Sequence, residues 1–272
     1  MSDQTEGFLS QIVVMLPAFR AVEERLDRET GHRFSVFDLF KTDEPATSGL
    51  LDALLNPKGA HGQSDLFLRL FVNRFVPEWR DTFGGDARPA TTNQLIDVTI
   101  SDNDRWLGIE NKIFGAQDQD RQCDRYLEAL KQASGQSGDY RLLYLSPKGE
   151  PPGENSFTNK GREHHSGKLV IGAWVPPLTD TDTAQEAARE SARIENCLDW
   201  LAECEDKCRA ENVRWFLRQF RALVQRLTGE KELSMTGNAI VDLALRSTEY
   251  LDAAVRIGGQ FERIVERVAV QS

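Results

Sequence analysis

No two of the four cysteines, Cys123, Cys197, Cys204 and Cys208, stand in a CxxC pair. A zinc ribbon needs such pairs, and four scattered cysteines in a chain of 272 residues do not make a disulfide framework, so neither is expected. Cys204 and Cys208 fall at i and i+4 of a predicted helix and could share a metal, but no second ligand pair accompanies them. Reduced structural thiols are the plainer reading. Long hydrophobic runs are missing too. The apolar stretch "FLSQIVVMLPAF" is short and follows the acidic "SDQTEG". A signal peptide wants a basic leader and a membrane span roughly 20 apolar residues, so no membrane is expected and the cytoplasm is the expected location. Basic residues are in deficit, with 33 Lys and Arg against 43 Asp and Glu and a net charge of −10. That argues against a broadly basic coat for nucleic acid and leaves room for a local basic surface or bound metal ions. No helix-turn-helix, zinc finger, internal repeat or low-complexity tract is visible.

What is present is the patterning of a globular α/β protein, with 40% hydrophobic and 28% charged residues. Apolar positions at helical spacing predict a helix over residues 6–28. Further helices are predicted over about 45–55 and 64–75, separated by the turn signals of "NPKGAHG". Between residues 93 and 113 the period changes from 3.6 to 2. "NQLIDVTI" and "WLGIENKI" alternate around "SDND", as in a β-hairpin. A helix over about 117–133, a strand "YRLLYLS", a long Pro/Gly-rich loop over 147–166 and a strand "KLVIGAWV" follow. From about residue 183 onward the chain reads as helices, broken near "TGEKELSMTGN". Two domains are expected: a core over 1–180 and a helical C-terminal lobe over 181–272.

The hairpin register predicts chemistry. With the turn centred between Asn103 and Asp104, paired positions sum to 207. Asp97 then falls opposite Glu110, and Leu95 opposite Lys112. Asp97, Glu110 and Lys112 share one face; Ile96, Val98, Ile100, Leu107 and Ile109 take the other. Two facing carboxylates repel each other unless one holds a proton or a cation sits between them. A hard cation such as Mg2+ favours one or two carboxylates plus water and phosphate oxygens. Lys112 beside it could orient an attacking water or offset charge on a phosphate. A solvent-facing Glu/Lys pair on a half-exposed sheet explains the same spacing, and on spacing alone both readings are open.

The stretch "IDVTISDNDRWLGIENK" resembles the PD-(D/E)XK nuclease superfamily, with Asp97, Glu110 and Lys112 in the motif positions and Ile96 where the motif name has proline. "SGLLDALLNPKGAHGQSDLFLRLF", "LLYLSPKG" and "LDWLAECEDKCRAENVRWFLRQFRALVQRLTG" are similar to a bacterial branch of it. The resemblance implies a restriction-endonuclease-like core; the patterning itself predicts a mixed central sheet flanked by helices, with the helical C-terminal lobe packed on it. It implies Asp97 and Glu110 as ligands of Mg2+ or Mn2+ and Lys112 as the catalytic lysine. Glu44 stands where such nucleases often carry a third acidic ligand, although an acid in a first helical turn has a dipole reason as well. The backbone carbonyl of Asn111 is expected near the metal. Gln122 and Tyr126, four apart on one helix face, resemble the QxxxY pair of RecB-like nucleases, which supports the site or touches DNA.

His61 could cap its turn or approach the site; His164 and His165 read as loop residues. Arg214, Arg218 and Arg221, at i, i+4 and i+7, form a basic ridge that could follow a phosphate backbone or be a solvated helix face. The expected function is a metal-dependent nuclease, with DNA favoured as substrate and an RNA-directed nuclease not separated from it by the sequence, in defence against foreign DNA or in repair. A homodimer is expected by analogy with enzymes of this fold. The competing reading is a nuclease-fold binding or assembly module with little or no catalysis.

Overall fold

The computed structural model describes residues 28–29, 31, 34–176 and 194–229. The described residues 35–176 and 194–229 belong to one compact unit. The expected helix over 6–28 and the expected domain boundary near 180 fall on or reach into residues outside those described, as does most of the break near "TGEKELSMTGN".

Helix α1, Glu44–Leu55, starts where local chemistry favours it: Asp43 accepts the Ala46 N–H at 3.1 Å as N-cap, and Pro45 occupies the first turn. Helix α2, Leu66–Phe75, begins two residues later than its apolar pattern suggests, because Ser64 takes a left-handed φ of 53°. Strands β1 (Arg88–Pro89), β2 (Val98–Asp102) and β3 (Arg105–Asn111) follow, then helix α3 (Gln122–Ser134) and strand β4 (Asp139–Ser146). Helix α4 (Asn159–His164), strand β5 (Leu169–Ala173) and helices α5 (Cys197–Lys207) and α6 (Glu211–Leu227) complete the described elements.

The sheet is mixed, in the order β1-β2-β3-β4-β5. β1, β2 and β3 are antiparallel; β3, β4 and β5 run parallel. The hairpin pairs as the alternation predicts, from Val98 with Ile109 to Asp102 with Arg105, around a two-residue turn with Asn103 at φ 54°.

Each sheet face has its own core. Val98, Ile100, Leu107, Ile109, Leu143 and Leu145 pack with α1, α2, α5 and α6. On the other face Cys123, Tyr126, Leu127 and Leu130 of α3 meet Tyr140, Leu142 and Tyr144. The contact is tight at Gly108, where a Cβ would come within 2.8 Å of the Leu130 Cδ1. The result is a five-stranded sheet between layers of helices, a restriction-endonuclease-like α/β fold. All four cysteines are buried and unbridged.

Three local expectations differ from the structure. α3 starts at Gln122 rather than near 117, because Arg121 adopts a left-handed φ of 50° and ends any helical run before it. The 147–166 segment is less irregular than its Pro and Gly content suggests, since Thr158 caps helix α4 within it. Asp124 of α3 accepts the Thr158 N–H and hydroxyl, and Gly161 lies so close to that carboxylate that a Cβ would collide with it. Ile96 packs with the α3-side core instead of beside Val98, because the chain bends at Asp97 and the strand alternation begins only at Val98.

Candidate active site

At the C-terminal end of β3 the two charges of "GIENKI" are buried. The Glu110 and Lys112 side chains are 4% and 6% exposed, and the Lys112 Nζ lies 3.0 Å from Glu110 Oε1. Asp97 joins them by a route the hairpin register does not contain. Neither Leu95 nor Asp97 belongs to β2, so the expected Leu95–Lys112 pairing does not form; Leu95 is 94% exposed and the Lys112 N–H donates to Leu145 O. The Asp97 side chain instead reaches the next strand and accepts the Asn111 N–H on Oδ2 at 2.8 Å. Its carboxylate replaces a backbone acceptor where the ladder stops.

Asn111 divides the two charges for a structural reason. Its side chain is fully buried on the opposite face from Glu110 and Lys112. Its amide donates to Thr47 Oγ1 at 2.9 Å and Ser48 Oγ at 3.0 Å, in the first turns of α1. Its side-chain oxygen Oδ1 accepts from the Ile113 N–H at 3.1 Å and from the Trp174 indole at 2.9 Å. The side chain therefore ties α1 to the end of β3, and α1 carries Glu44 to the site.

Glu44, Asp97, Glu110 and Lys112 line one cavity of about 480 Å3, together with Gln122 and Tyr126. Gln122 Nε2 donates to Glu110 Oε1 at 2.7 Å and to Tyr126 Oη at 3.2 Å, so the QxxxY pair braces the glutamate. Sequence reasoning missed Asn93, Gln94, Leu95, Gln119 and Arg125, which also line the cavity. Gln119 and Arg125 carry a local signal: they flank α3's first turn, and Arg125 Nη2 donates to Gln119 Oε1 at 3.1 Å. The loop residues Asn93 to Leu95 carry none.

The electrostatics are those of a site short of positive charge. Burial pushes the Glu110 carboxyl up to about 7, and the neighbouring Asp97 and Glu44 add to that against the pull of Lys112. Burial likewise raises Asp97 and Glu44. For Lys112 burial works the other way, but Glu110, Glu44 and Asp118 outweigh it and hold the ammonium charged. Three carboxylates thus share the Lys112 ammonium, while the guanidinium of Arg125, which also lines the cavity, is engaged by Gln119 Oε1 and Asp120 O. Glu44 Oε2 is buried with no hydrogen-bond partner among the described residues. A buried oxygen without a donor is costly unless something cationic meets it. The donors are all carboxylate oxygens, the set that suits a hard divalent cation of the Mg2+ class. The residues present fit such an ion.

The remaining candidates lie elsewhere. The His61 ring bonds Asn56 O through Nε2 at 2.9 Å and accepts Gln63 N–H on Nδ1 at 3.0 Å, so both nitrogens hold the α1–α2 turn. Arg214, Arg218 and Arg221 pair with glutamates: Arg214 and Arg218 with Glu211, Arg218 and Arg221 with Glu205. None of the four lines the cavity.

A family model of the PD-(D/E)XK nuclease superfamily matches residues 34–222, most of the chain. The chain belongs to that superfamily. The matched span contains every residue of the Glu44, Asp97, Glu110, Lys112, Gln122 and Tyr126 constellation. Membership in the PD-(D/E)XK superfamily points to nuclease activity, and its nucleases use divalent metals. No curated protein and no solved structure matches the chain. Among the described residues no helix is long and apolar enough to cross a membrane.

Proposed function

We propose that this protein is a Mg2+- or Mn2+-dependent nuclease that hydrolyses phosphodiester bonds in DNA. The observation that carries the reading is the cavity in which Glu44, Asp97 and Glu110 face a single ammonium, Lys112, and one buried oxygen of Glu44 has no donor. Glu110 and Asp97 would hold the metal, with Glu44 as a third acidic ligand. When bound, a divalent cation supplies Lewis acidity to the scissile phosphate.

The chain's own groups do the rest. Lys112 is charged, held by Glu110, and positioned to orient the attacking water and to offset negative charge as it grows on the phosphate. Gln122, itself held against Tyr126, pins Glu110 Oε1, the same oxygen that meets Lys112. A pinned carboxylate loses little further freedom when the reacting groups assemble. Defence against foreign DNA, or repair, in the cytoplasm is the role proposed, by analogy with the superfamily.

The test is cleavage of linear, circular and single-stranded DNA, and of RNA, by the full chain with Mg2+ or Mn2+. Wild type is run beside Lys112→Ala and Glu110→Ala. Metal-dependent cleavage of DNA that both variants lose supports the reading. Cleavage that persists in both variants overturns the assignment of residues. Folded wild type inert on every substrate would shift the weight to a binding module of the same fold.

A further inference from the structure

Outside the cavity, a second set of metal-type donors comes together where α4 meets α3. Glu128 of α3, His164 at the end of α4 and His165 just after it place three ligand atoms within 4.8 Å of one another. None of them lines the carboxylate cavity. We propose that Glu128, His164 and His165 bind a transition-metal dication of the zinc type, which fastens the β4–β5 connection to α3.

The spacing fits. Both Nε2 atoms approach the same carboxylate oxygen, Glu128 Oε2, at 3.6 Å from His164 and 3.8 Å from His165. With metal bonds of about 2.1 Å, a tetrahedral site has ligand–ligand edges of about 3.4 Å. Small side-chain adjustments close that gap.

The hydrogen bonds around Glu128 and His165 leave the right atoms free. Glu128 Oε1 is taken by Gln132 Nε2 at 3.1 Å, so Oε2 is the oxygen left for a cation. His165 is 3% exposed, its Nδ1 is 2.9 Å from Tyr140 Oη, and its backbone N–H donates to Gly161 O. A ligand imidazole characteristically gives its other N–H to an oxygen, and Tyr140 stands where that acceptor belongs.

The His164 side carries the strongest indication. Lys131 Nζ lies 2.8 Å from His164 Nε2. An ammonium can only donate, so that nitrogen presents its lone pair, and a cation already faces it. Lys131 stands on a long exposed stem and can swing aside for a metal. Two imidazoles and one carboxylate with an open fourth position suit zinc, nickel or cobalt, whereas the all-carboxylate cavity suits Mg2+. The two sites thus select different ions, and this proposal stands or falls separately from the nuclease reading.

The experiment titrates the chelator-treated full chain with Zn2+ in the presence of excess Mg2+, followed by calorimetry and by the thermal unfolding midpoint. Wild type and Glu110→Ala are expected to bind one zinc and to be stabilised by it. His164→Ala and Glu128→Gln, both at solvent-accessible side chains where folding survives, should bind at least about tenfold more weakly. Lys131→Met, which removes the competing ammonium, should bind more tightly. The proposal fails if wild type binds no zinc, or if His164→Ala and Glu128→Gln bind it as wild type does. It fails equally if Glu110→Ala is the variant that loses binding, because the ion would then sit in the carboxylate cavity.

Discussion

The two ends of the β3–β4 pair carry opposite solutions to the same problem. At the end near the hairpin turn, Asp139 Oδ1 accepts from Lys168 Nζ and Arg141 Nη1, both at 2.6 Å, and Oδ2 accepts from the Trp79 indole at 3.0 Å. Arg141 also reaches Glu78 at 2.9 Å. Burial alone would raise the Asp139 carboxyl, but Lys168, Trp79 and Arg141 outweigh it and hold it at about 2. At the other end, where β3 reaches Asn111, three carboxylates meet one ammonium and Glu110 is pushed up to about 7. One strand pair therefore holds a carboxylate fully supplied with partners and a cluster left short of them. Half-buried Asp139 is supplied with donors from three side chains. In the other cluster a buried oxygen of Glu44 has no donor among the described residues, which supports the proposed cation there.

Substitutions can break this contrast. The largest effect is expected from Lys112→Ala, which removes the one ammonium from the cavity. Cleavage should fall about 10^2- to 10^3-fold or more, with the unfolding midpoint used to confirm that the variant is folded.

Next comes Asn111→Leu. It leaves the Trp174 indole and the Thr47 and Ser48 hydroxyls without their buried partner and releases α1 from β3. A loss of about 2–4 kcal/mol in denaturant unfolding is expected. Mg2+ affinity should fall as well, because Glu44 is no longer held beside Glu110.

The third test compares the two ends by pH. The folded Asp139 carboxyl lies below its ordinary value, so it stabilises the fold above about pH 4, and that contribution is lost as pH falls toward 2. Asp139→Asn should cost about 1 kcal/mol at pH 7, a value kept small by its partial exposure. Glu110 has the opposite sign. Its folded pKa of about 7 lies above the ordinary 4.5, so the folded state holds the extra proton and the metal-free protein loses stability as pH rises between those values. Glu110→Gln should flatten that slope, and Asp139→Asn should leave it.

The smallest effect belongs to the α6 ridge. Arg218 already pairs with Glu205 and Glu211, so Arg218→Ala should change stability by less than about 0.5 kcal/mol. Its effect on DNA cleavage should stay within about twofold.

Much of this was legible in the residues themselves. The hairpin register followed from period-2 alternation around Asn103 and Asp104, because one-residue slips would exchange buried Val98 and Ile100 for polar neighbours. The helices α1 and α2 were placed by the turn signals of Asn56, Pro57 and Gly59 between them. Less visible was anything decided by a single backbone torsion, such as the left-handed Arg121 that delays α3 or the bend at Asp97 that turns Ile96 to the other face. Asn111 was noticed for its carbonyl, whereas its side chain does the structural work through partners at least 60 positions away in sequence. Long-range hydrogen bonds of that kind leave no periodic trace. The arginines of α6 show the converse: a regular spacing was visible, but the glutamates that occupy them sit partly on another helix, α5.

The account rests on the claim that the Glu44, Asp97 and Glu110 cluster is short of a cation. The most direct measurement is the unfolding midpoint at pH 8, with and without Mg2+, for wild type and Glu110→Gln. The account predicts that Mg2+ raises the midpoint of wild type but not of the variant, and that without Mg2+ the variant is at least as stable as wild type. A variant that is less stable without Mg2+, or that keeps the full Mg2+ shift, would show that Glu110 is a satisfied structural carboxylate and would contradict the account.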